Sequence, residues 1–312
     1  MSLRAIPPLA EGEAILVAGF QIASSLALLA KTLETVLPSI LSSLASCISF
    51  PRWGKLLLVT RSYLDISPAV ARRIKLIMTD VDGTLTLDGE HFEPAVAHTV
   101  RGLEEAGMVV GLVSGRTLPR LERIASLLGT NGPLIAENGG VAKLGDDGLV
   151  DLGYSRQPAL AAVTKLKALF PGAIQELWDN KDRLVDVTIA CDGLAVEQLQ
   201  KHAPGIQLLD SGYMIHLMPE GISKGGTLKR LLPMIADGKV SPDEVVVFGD
   251  SPTDVSLFEM FCNSVLVLNP RLPAEQREAV AGIASYSVAL PCEQGFVQVA
   301  KHIIKSRFSP PS

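Results

Sequence analysis

From residue 74 onward, short apolar runs alternate with segments of helical spacing, and this alternation constrains the fold more than any other feature. Strand-like runs separated by helices of about ten to fifteen residues are typical of a parallel β-sheet covered on both faces. In such sheets ligands bind at the carboxyl ends of the strands. We therefore expect an α/β fold with a doubly wound parallel sheet. The predicted strands are 74–79, 108–113, 133–136, 244–248 and 264–268, and the predicted helices are 94–106, 118–128, 224–235 and 252–261.

The middle of the chain, 154–219, follows another pattern. The segment "DRLVDVTIA" alternates apolar and polar residues, as strands of an antiparallel sheet with one open face do. The predicted elements here are helices at 158–169 and 194–202 and strands at 183–190, 206–209 and 213–218. We expect a small α+β domain over 153–220, inserted into a core formed by 71–152 and 221–308.

Residues 1–70 differ from both parts. The stretch 14–30 carries no charge, and its seventeen residues lie at the lower limit for a membrane span. We favour an N-terminal hydrophobic helical extension that packs or oligomerises as a hairpin. Membrane contact through 14–50 is one alternative. A cleaved signal peptide is another, disfavoured because Arg4 is the only cationic residue before the apolar stretch.

Composition narrows the classes of partner and compartment. The 312-residue chain has a formal net charge of −5 and no long basic run, which argues against nucleic acid as the main partner. The four cysteines are widely spaced without a CxxC pair, so we expect free thiols, no zinc site and a reducing, cytoplasmic setting.

Two aspartates, Asp80 and Asp82, follow the first predicted strand in the segment "DVDGTLT". Side chains two apart on an extended chain face the same way, and like charges so close repel unless a cation or a proton lies between them. Mg²⁺ prefers such carboxylate oxygens. One carboxylate could then attack phosphorus and the other act as acid and base. The alternative is a solvated turn at a strand end.

Three further segments place polar residues at predicted strand ends or helix starts. "VSGR" offers the Ser114 hydroxyl and the Gly115 backbone N–H to a phosphate oxygen. "SKGG" places Lys224 at a helix start, where a cation opposes the helix dipole, so binding of an anion would explain it. "GDSPTD" supplies Asp250 and Asp254, which suit an oxygen-ligand metal site. A helix cap at Ser114 and a solvent-facing Lys224 are the alternatives.

In this order, the four segments resemble the signature motifs of the haloacid dehalogenase superfamily of phosphohydrolases, over about 74–304. The resemblance implies a Rossmann-like core with an inserted cap domain. It implies that Asp80 is a nucleophile that forms an aspartyl-phosphate, and that Asp82 protonates the leaving group and then activates water. Ser114, Gly115 and Lys224 would bind the phosphoryl group.

The same resemblance implies a Mg²⁺ cofactor. Its ligands would be Asp80, the backbone carbonyl of Asp82, and Asp250, with Asp254 as a further ligand or a support. An aspartate at position 82 is more similar to the phosphatases than to the dehalogenases of this superfamily.

The spacing of the motifs places the cap. Asp82 and Ser114 are 32 residues apart, whereas Ser114 and Lys224 are 110 apart, so the inserted domain lies between the second and third motifs. This arrangement resembles the type IIB, Cof-like and sucrose-phosphatase-like subfamily. "NGPLIAENGG" and "SGYMIHLMPEGISKG" are most similar to the archaeal-type phosphoglycolate phosphatases.

Four residues are candidates for substrate specificity. Arg183 could pair with a substrate carboxylate, and Glu137, Asn138 and His216 lie in segments expected near the site. For Arg183 the alternative is an exposed strand residue, and for His216 a histidine of the cap sheet. For Glu137 and Asn138 it is a plain turn.

The sequence therefore predicts a Mg²⁺-dependent phosphomonoesterase acting on a small phosphorylated acid or sugar, with 2-phosphoglycolate as the leading substrate. Sucrose phosphate, other sugar phosphates and mannosyl-phosphoglycerate are alternative substrates. A phosphohexomutase is the nearest alternative enzyme. A membrane-tethered scaffold with a silent phosphatase domain is the non-enzymatic alternative, and the N-terminal segment makes a homo-oligomer a candidate.

Overall fold

The computed structural model describes residues 60–145, 148–212 and 214–310. The predicted N-terminal extension falls almost entirely outside the described residues, including 14–50. Within the described ranges, no helix combines the length and the apolar character that a membrane crossing requires.

The described chain contains thirteen strands and nine α-helices. The strands are β1 (Arg61–Ser62), β2 (Leu76–Thr79), β3 (Val109–Val113), β4 (Leu134–Ala136), β5 (Val141–Lys143), β6 (Leu149–Val150), β7 (Ile174–Glu176), β8 (Val187–Cys191), β9 (Ile206–Asp210), β10 (Ile215–Pro219), β11 (Val245–Gly249), β12 (Asn263–Leu268) and β13 (Tyr286–Pro291). The helices are α1 (Pro68–Arg73), α2 (Pro94–Glu105), α3 (Leu118–Leu128), α4 (Gln157–Leu169), α5 (Val196–Gln200), α6 (Lys224–Leu231), α7 (Val255–Met260), α8 (Ala274–Val280) and α9 (Cys292–Arg307).

The larger sheet has nine strands in the order β1-β13-β12-β11-β2-β3-β4-β5-β6. All pairs from β1 to β4 are parallel, and only β5 and β6 are added antiparallel. Strand β2 lies between β11 and β3, which come from the two segments of the core on either side of the inserted domain. The carboxyl ends of these three strands therefore meet at one edge, and the expectation of a doubly wound parallel sheet is confirmed.

Side chains along the central strands point alternately to the two faces of the sheet, and they are apolar on both faces, so both faces are covered. In β2, Ile77 contributes to one apolar cluster, while Leu76 and Met78 contribute to the other. The first cluster contains helices α1, α2, α3 and α9, and the second contains α6 and α7. Phe248 of β11 packs edge-to-face on Phe296 of α9, with ring centroids 5.1 Å apart. Burial on both sides keeps water from the strands and fixes where their ends lie.

A second sheet, β7-β8-β10-β9, is antiparallel and forms the cap with α4 and α5. Apolar residues of β8 and β10, such as Ile189 and Leu217, face the two helices in a separate apolar cluster. The alternate residues Thr188 and His216 are cross-strand partners on the opposite face. The cap thus has its own core and one polar face, as the alternating sequence pattern predicts.

The predicted strand at 183–190 is wrong in its first half, because β8 begins only at Val187. The backbone N–H groups of Leu184, Val185 and Asp186 donate to the carboxylate of Glu137 instead of to a neighbouring strand. Residues 183–186 therefore form a loop whose backbone is bound by Glu137, and we call them the cap loop.

Two predicted helices are shorter than expected. The helix predicted at 224–235 is α-helical only to Leu231 and continues as a 3₁₀ turn over Leu232–Gly238. Pro233 has no N–H for the helical ladder and its ring clashes with the preceding turn, so the α-helix ends there. The helix predicted at 252–261 begins as a 3₁₀ turn, Pro252–Asp254, and becomes α-helical at Val255.

Candidate active site

A cavity of about 480 Å³ lies at the carboxyl edge of the parallel sheet, between that edge and the polar face of the cap. Asp80 follows β2, Ser114 follows β3, Asp250 follows β11, and Lys224 begins α6. All four line the cavity. The sheet order therefore brings together residues from the four segments singled out in the sequence.

Three buried carboxylates form one group, which we call the acidic cluster: Asp80, Asp250 and Asp254. Each offers an oxygen, and these oxygens lie within 4.8 Å of one another. The three residues are 4%, 2% and 0% exposed. So much negative charge away from water needs a positive counterpart.

Lys224 supplies part of that counterpart. Its Nζ donates to Asp80 Oδ1 at 2.6 Å, to Asp254 Oδ1 at 2.7 Å and to Thr253 Oγ1 at 3.1 Å. Burial acts to lower the pKa of Lys224, but the carboxylates of Asp254 and Asp80 outweigh burial and raise it well above the usual value. The side chain is therefore a permanent buried cation between two carboxylates.

One ammonium does not neutralise the acidic cluster. Burial raises the pKa of Asp80 well above its usual value, and the neighbouring aspartates raise it further. The ammonium of Lys224 lowers this pKa but does not cancel the rise. Burial and Asp254 raise the pKa of Asp250 to about 7, against hydrogen bonds that lower it. Hard oxygen donors short of positive charge fit a divalent cation such as Mg²⁺. Asp80, Asp250 and Asp254 are the residues that could hold it.

The carboxylate of Asp250 is oriented by two neighbours. Thr84 donates its hydroxyl to Oδ1 at 3.1 Å, and Asn269 donates its amide to Oδ2 at 2.8 Å. Asp254 braces the same turn, because its Oδ2 accepts the backbone N–H groups of Asp250 and Ser251 at 3.0 and 3.2 Å. Two carboxylates of the acidic cluster, Asp250 and Asp254, are thus fixed by a second layer of hydrogen bonds.

The carboxylate of Asp82 lies apart from the acidic cluster. Arg116 binds it with two hydrogen bonds, Nε to Oδ2 at 2.8 Å and an Nη to Oδ1 at 2.6 Å. The same Nη group also donates to the Gly89 carbonyl at 2.7 Å. This paired geometry holds Asp82 at the cavity wall. Of the predicted metal ligands, Asp82 is therefore the one whose carboxylate the structure does not place in the acidic cluster.

Ser114 and Gly115 begin the loop after β3, which we call the β3 loop (residues 114–116). Ser114 is 1% exposed, and its Oγ accepts the N–H of Arg116 at 3.2 Å. A Cβ atom on Gly115 would lie 3.1–3.2 Å from Asn138 and His216, so only a glycine fits between them without displacement. The loop thus faces the cavity beneath the cap.

The four specificity candidates lie where core and cap meet. Glu137 is fully buried, and its carboxylate accepts hydrogen bonds from the backbone of the cap loop. Burial and the nearby charge of Asp186 raise the pKa of Glu137 to about 7, although these three hydrogen bonds act to lower it. Asn138, Arg183 and His216 line the cavity. The Arg183 guanidinium already binds Asp179 and Asp186 at 2.7 Å each, and His216 Nδ1 lies 2.7 Å from Asp186.

Three comparisons place the chain among known proteins. The family model of haloacid dehalogenase-like hydrolases matches residues 77–170 and 195–277. A phosphoglycolate phosphatase of Methanospirillum hungatei is 30% identical over 229 residues, covering 72% of this chain and 94% of that protein. A second, from Methanoculleus marisnigri, is 30% identical over 241 residues, covering 76% and 99%.

Solved structures share the fold. The structure of Thermoplasma acidophilum 0175 covers 74% of this chain and 98% of its own, with a TM-score of 0.64 and 24% identity. The sucrose-phosphatase of a Synechocystis species covers 74% and 98%, with a TM-score of 0.58 and 19% identity. These likenesses show the fold, and the family model and the two sequence relatives show the class of enzyme, a hydrolase. The chain belongs to the haloacid dehalogenase-like hydrolases, and within them it is a phosphatase.

Sequence reasoning missed several residues that shape this site. Arg116 was available in the "VSGR" segment, and a search for partners of Asp82 among nearby cations would have found it. Asn269 directly follows β12, so the strand-end rule alone would have selected it. Asp179 and Asp186 carry no signal in the sequence, because their importance comes from cross-strand and loop contacts within the cap.

Proposed function

We propose that this phosphatase is a Mg²⁺-dependent phosphomonoesterase that acts on a small phosphorylated acid, with 2-phosphoglycolate as the leading substrate. The observation that carries the proposal is the position of Asp80. Its carboxylate lies at the end of the central strand, 2.6 Å from a buried ammonium and within the acidic cluster. The phosphoglycolate phosphatases that are 30% identical over most of the chain support the choice of substrate.

In the proposed reaction, a carboxylate oxygen of Asp80 attacks phosphorus, and the bond to the leaving oxygen breaks. Asp82 gives its proton to that oxygen, which leaves as an alcohol. Asp82 then takes a proton from water, whose oxygen attacks the phosphorus of the aspartyl-phosphate and releases inorganic phosphate. Arg116 binds both carboxylate oxygens of Asp82 in the structure, so Asp82 would exchange this ion pair for the leaving oxygen and then for water.

The remaining residues hold the phosphoryl group. We infer that the Ser114 hydroxyl, the Gly115 N–H and the Lys224 ammonium bind its non-bridging oxygens, because all three residues line the cavity that Asp80 lines. Mg²⁺, when bound by Asp80, Asp250 and Asp254, would neutralise charge on the phosphoryl oxygens. Phosphoryl transfer depends mainly on such positioning and charge neutralisation.

Cationic side chains at the cavity favour an anionic leaving group. Arg116, Arg120 and Arg271 all line it. Arg271 donates to the Leu87 carbonyl at 2.9 Å, and among the described residues it has no carboxylate partner within 4.0 Å. A carboxylate two atoms from the phosphoryl group would find positive charge here.

Cavity size supports a second substrate class. A volume of about 480 Å³ exceeds what a two-carbon acid needs. Sugar phosphates, including sucrose phosphate and mannosyl-phosphoglycerate, are therefore the alternative substrates.

Cys191, Cys262 and Cys292 are free thiols, which supports the proposal of a cytoplasmic setting.

A substrate panel tests this function. The panel contains 2-phosphoglycolate, sugar phosphates and mannosyl-phosphoglycerate, and phosphate release is detected colorimetrically. We expect release from 2-phosphoglycolate in the presence of Mg²⁺ and loss of this release with excess EDTA. Transfer of phosphate between sugar positions without release would identify a phosphohexomutase instead. Absence of both reactions in folded, Mg²⁺-loaded protein would refute the proposal and leave the scaffold alternative.

Gly83 gives a separate test of the metal site. Its φ is +86°, and a Cβ there would lie 2.4 Å from Asn269 Nδ2 and 2.5 Å from Asp250 Oδ2. Gly83→Ala must therefore displace Asp250, and we expect Mg²⁺ affinity to fall by about 10–100-fold in calorimetric titrations. Gly172→Ala is the matched control, because Gly172 has φ +81° and no atom within 4 Å of its added Cβ. Equal losses in both variants would show that backbone strain, not Asp250, is responsible.

A further inference from the structure

The turn after β4 is bound to the β3 loop by its backbone. The N–H of Glu137 donates to the Arg116 carbonyl at 2.9 Å, and the N–H of Asn138 donates to the Ser114 carbonyl at 3.0 Å. Glu137 and Asn138 both adopt the left-handed backbone conformation, with φ of 52° and 54°. This conformation is unfavourable for residues other than glycine. The surrounding contacts must therefore hold the turn in place.

The side chain of Glu137 holds the cap from the same turn. Its Oε1 accepts the N–H of Leu184 at 2.8 Å, and its Oε2 accepts those of Val185 and Asp186 at 2.8 and 2.9 Å. Glu137 is fully buried, so no water competes for these bonds. Three hydrogen bonds in a site without water tie the cap loop to the core through this one side chain.

Arg183 makes the return contact. An Nη of its guanidinium donates to the Gly115 carbonyl at 3.1 Å. The guanidinium cannot swing away easily, because Asp186 and Asp179 each bind it at 2.7 Å and its side chain is 1% exposed. The cap loop and the β3 loop are thus joined twice, directly through Arg183 and indirectly through Glu137.

We propose that Glu137 and Arg183 are positioning residues that couple the seating of the cap loop to the shape of the β3 loop. The inference rests on the proposed function, in which Ser114 and Gly115 bind the phosphoryl group. Neither Glu137 nor Arg183 needs to touch substrate. The β3 loop has its phosphate-binding geometry only when the cap loop is docked on it. A substrate whose leaving group fits under the cap stabilises this docked state, and its phosphoryl group is then bound more tightly by the β3 loop.

Coupling between two sites is reciprocal, and this makes the proposal testable in the unaltered protein. Inorganic phosphate bound at the β3 loop should slow hydrogen exchange at the amides of Leu184, Val185 and Asp186, which donate to Glu137. We expect slowing on the order of tenfold, within the usual range of coupling between sites. The measurement is amide exchange on the full chain with Mg²⁺, with and without inorganic phosphate.

Glu137→Gln removes one of the two accepting oxygens and the charge. We expect the KM for substrate and the inhibition constant of inorganic phosphate to rise together, by about tenfold, while kcat changes less. The slowing of exchange in the cap loop by phosphate should disappear. Glu137→Asp keeps the charge and serves if Glu137→Gln fails to fold; its shorter side chain should give the same changes in smaller measure.

The control for both variants is Glu176→Gln, which removes a half-exposed carboxylate of the cap that pairs with Lys167. It should leave every one of these quantities unchanged. Phosphate protection of the amides at 114–116 without any effect at 184–186 would overturn the coupling and leave the proposed function standing. No protection at 114–116, together with no phosphate release, would overturn the proposed phosphate site and the coupling with it.

Discussion

Asp80→Asn is expected to reduce phosphate release by at least about a thousandfold, because an amide oxygen at this position is not a competent nucleophile. The substitution preserves the size of the side chain, and Lys224 keeps Asp254 as a partner at 2.7 Å. It also removes a carboxylate whose burial is unfavourable, as its raised pKa indicates. We therefore expect the melting temperature to stay the same or to rise.

Steady-state release and thermal unfolding by circular dichroism would measure both effects. Asp65→Asn is a suitable control, since Asp65 is exposed and is not among the residues that line the cavity. Activity above about a tenth of wild type in Asp80→Asn would exclude Asp80 as the nucleophile. A lost activity with a collapsed fold would leave the chemical role open, and Asp80→Glu would then separate the two explanations by keeping the charge.

Lys224→Met is the second substitution for which we expect a large effect. Removing the ammonium leaves Asp80 and Asp254 buried and unpaired, and loss of one partner of a buried ion pair costs about 3–5 kcal/mol. If this ammonium binds the phosphoryl group as proposed, activity should fall by about 10²–10³-fold. Mg²⁺ should restore part of the stability, by about 2.7 kcal/mol at a hundred times its dissociation constant.

Urea unfolding in EDTA and in Mg²⁺ would test this expectation. Lys75→Met is the matched control, because Lys75 pairs with Glu244 at 2.8 Å but is about half exposed. A surface pair of this kind contributes at most about 1 kcal/mol. If Lys224→Met were no more destabilising than Lys75→Met in EDTA, the ammonium would not be compensating the acidic cluster.

The core of the site was predictable because its signals are local. Asp80 and Asp82 stand at the end of an apolar run, and strand ends in α/β sheets meet at one edge. Ser114 and Asp250 follow from the same rule applied to two other strands. What the sequence could not supply without family resemblance was the order of the strands, which depends on packing between distant segments.

The junction between core and cap was not predictable, for a different physical reason. Residues 183–186 directly precede the apolar run of β8, and their sequence does not mark where the strand begins. Their backbone N–H groups are instead taken by Glu137, which lies 47–49 positions earlier in the chain. Arg183 likewise looked available to substrate, but Asp179 and Asp186 occupy its guanidinium in the folded chain.

Helix α9 was missed although its signal is present. Phe296, Val299, Ala300 and Ile303 recur at helical spacing and are all fully buried. The helix packs on α1 and α2 and closes one face of the sheet. The helical periodicity of these apolar residues is sufficient to predict this helix from the sequence.

The central position of β2 has a consequence for how the protein is made. Strand β2 pairs with β11, whose residues leave the ribosome 169 positions after their partners in β2, or on the order of ten seconds later at typical rates of synthesis. The cap, in contrast, is one continuous segment with its own core, and all of it emerges before β11. During synthesis the cap is therefore able to fold first, whereas Asp80 and Asp250 meet only when the chain is almost complete. The nascent chain can therefore carry a folded cap before it has an acidic cluster.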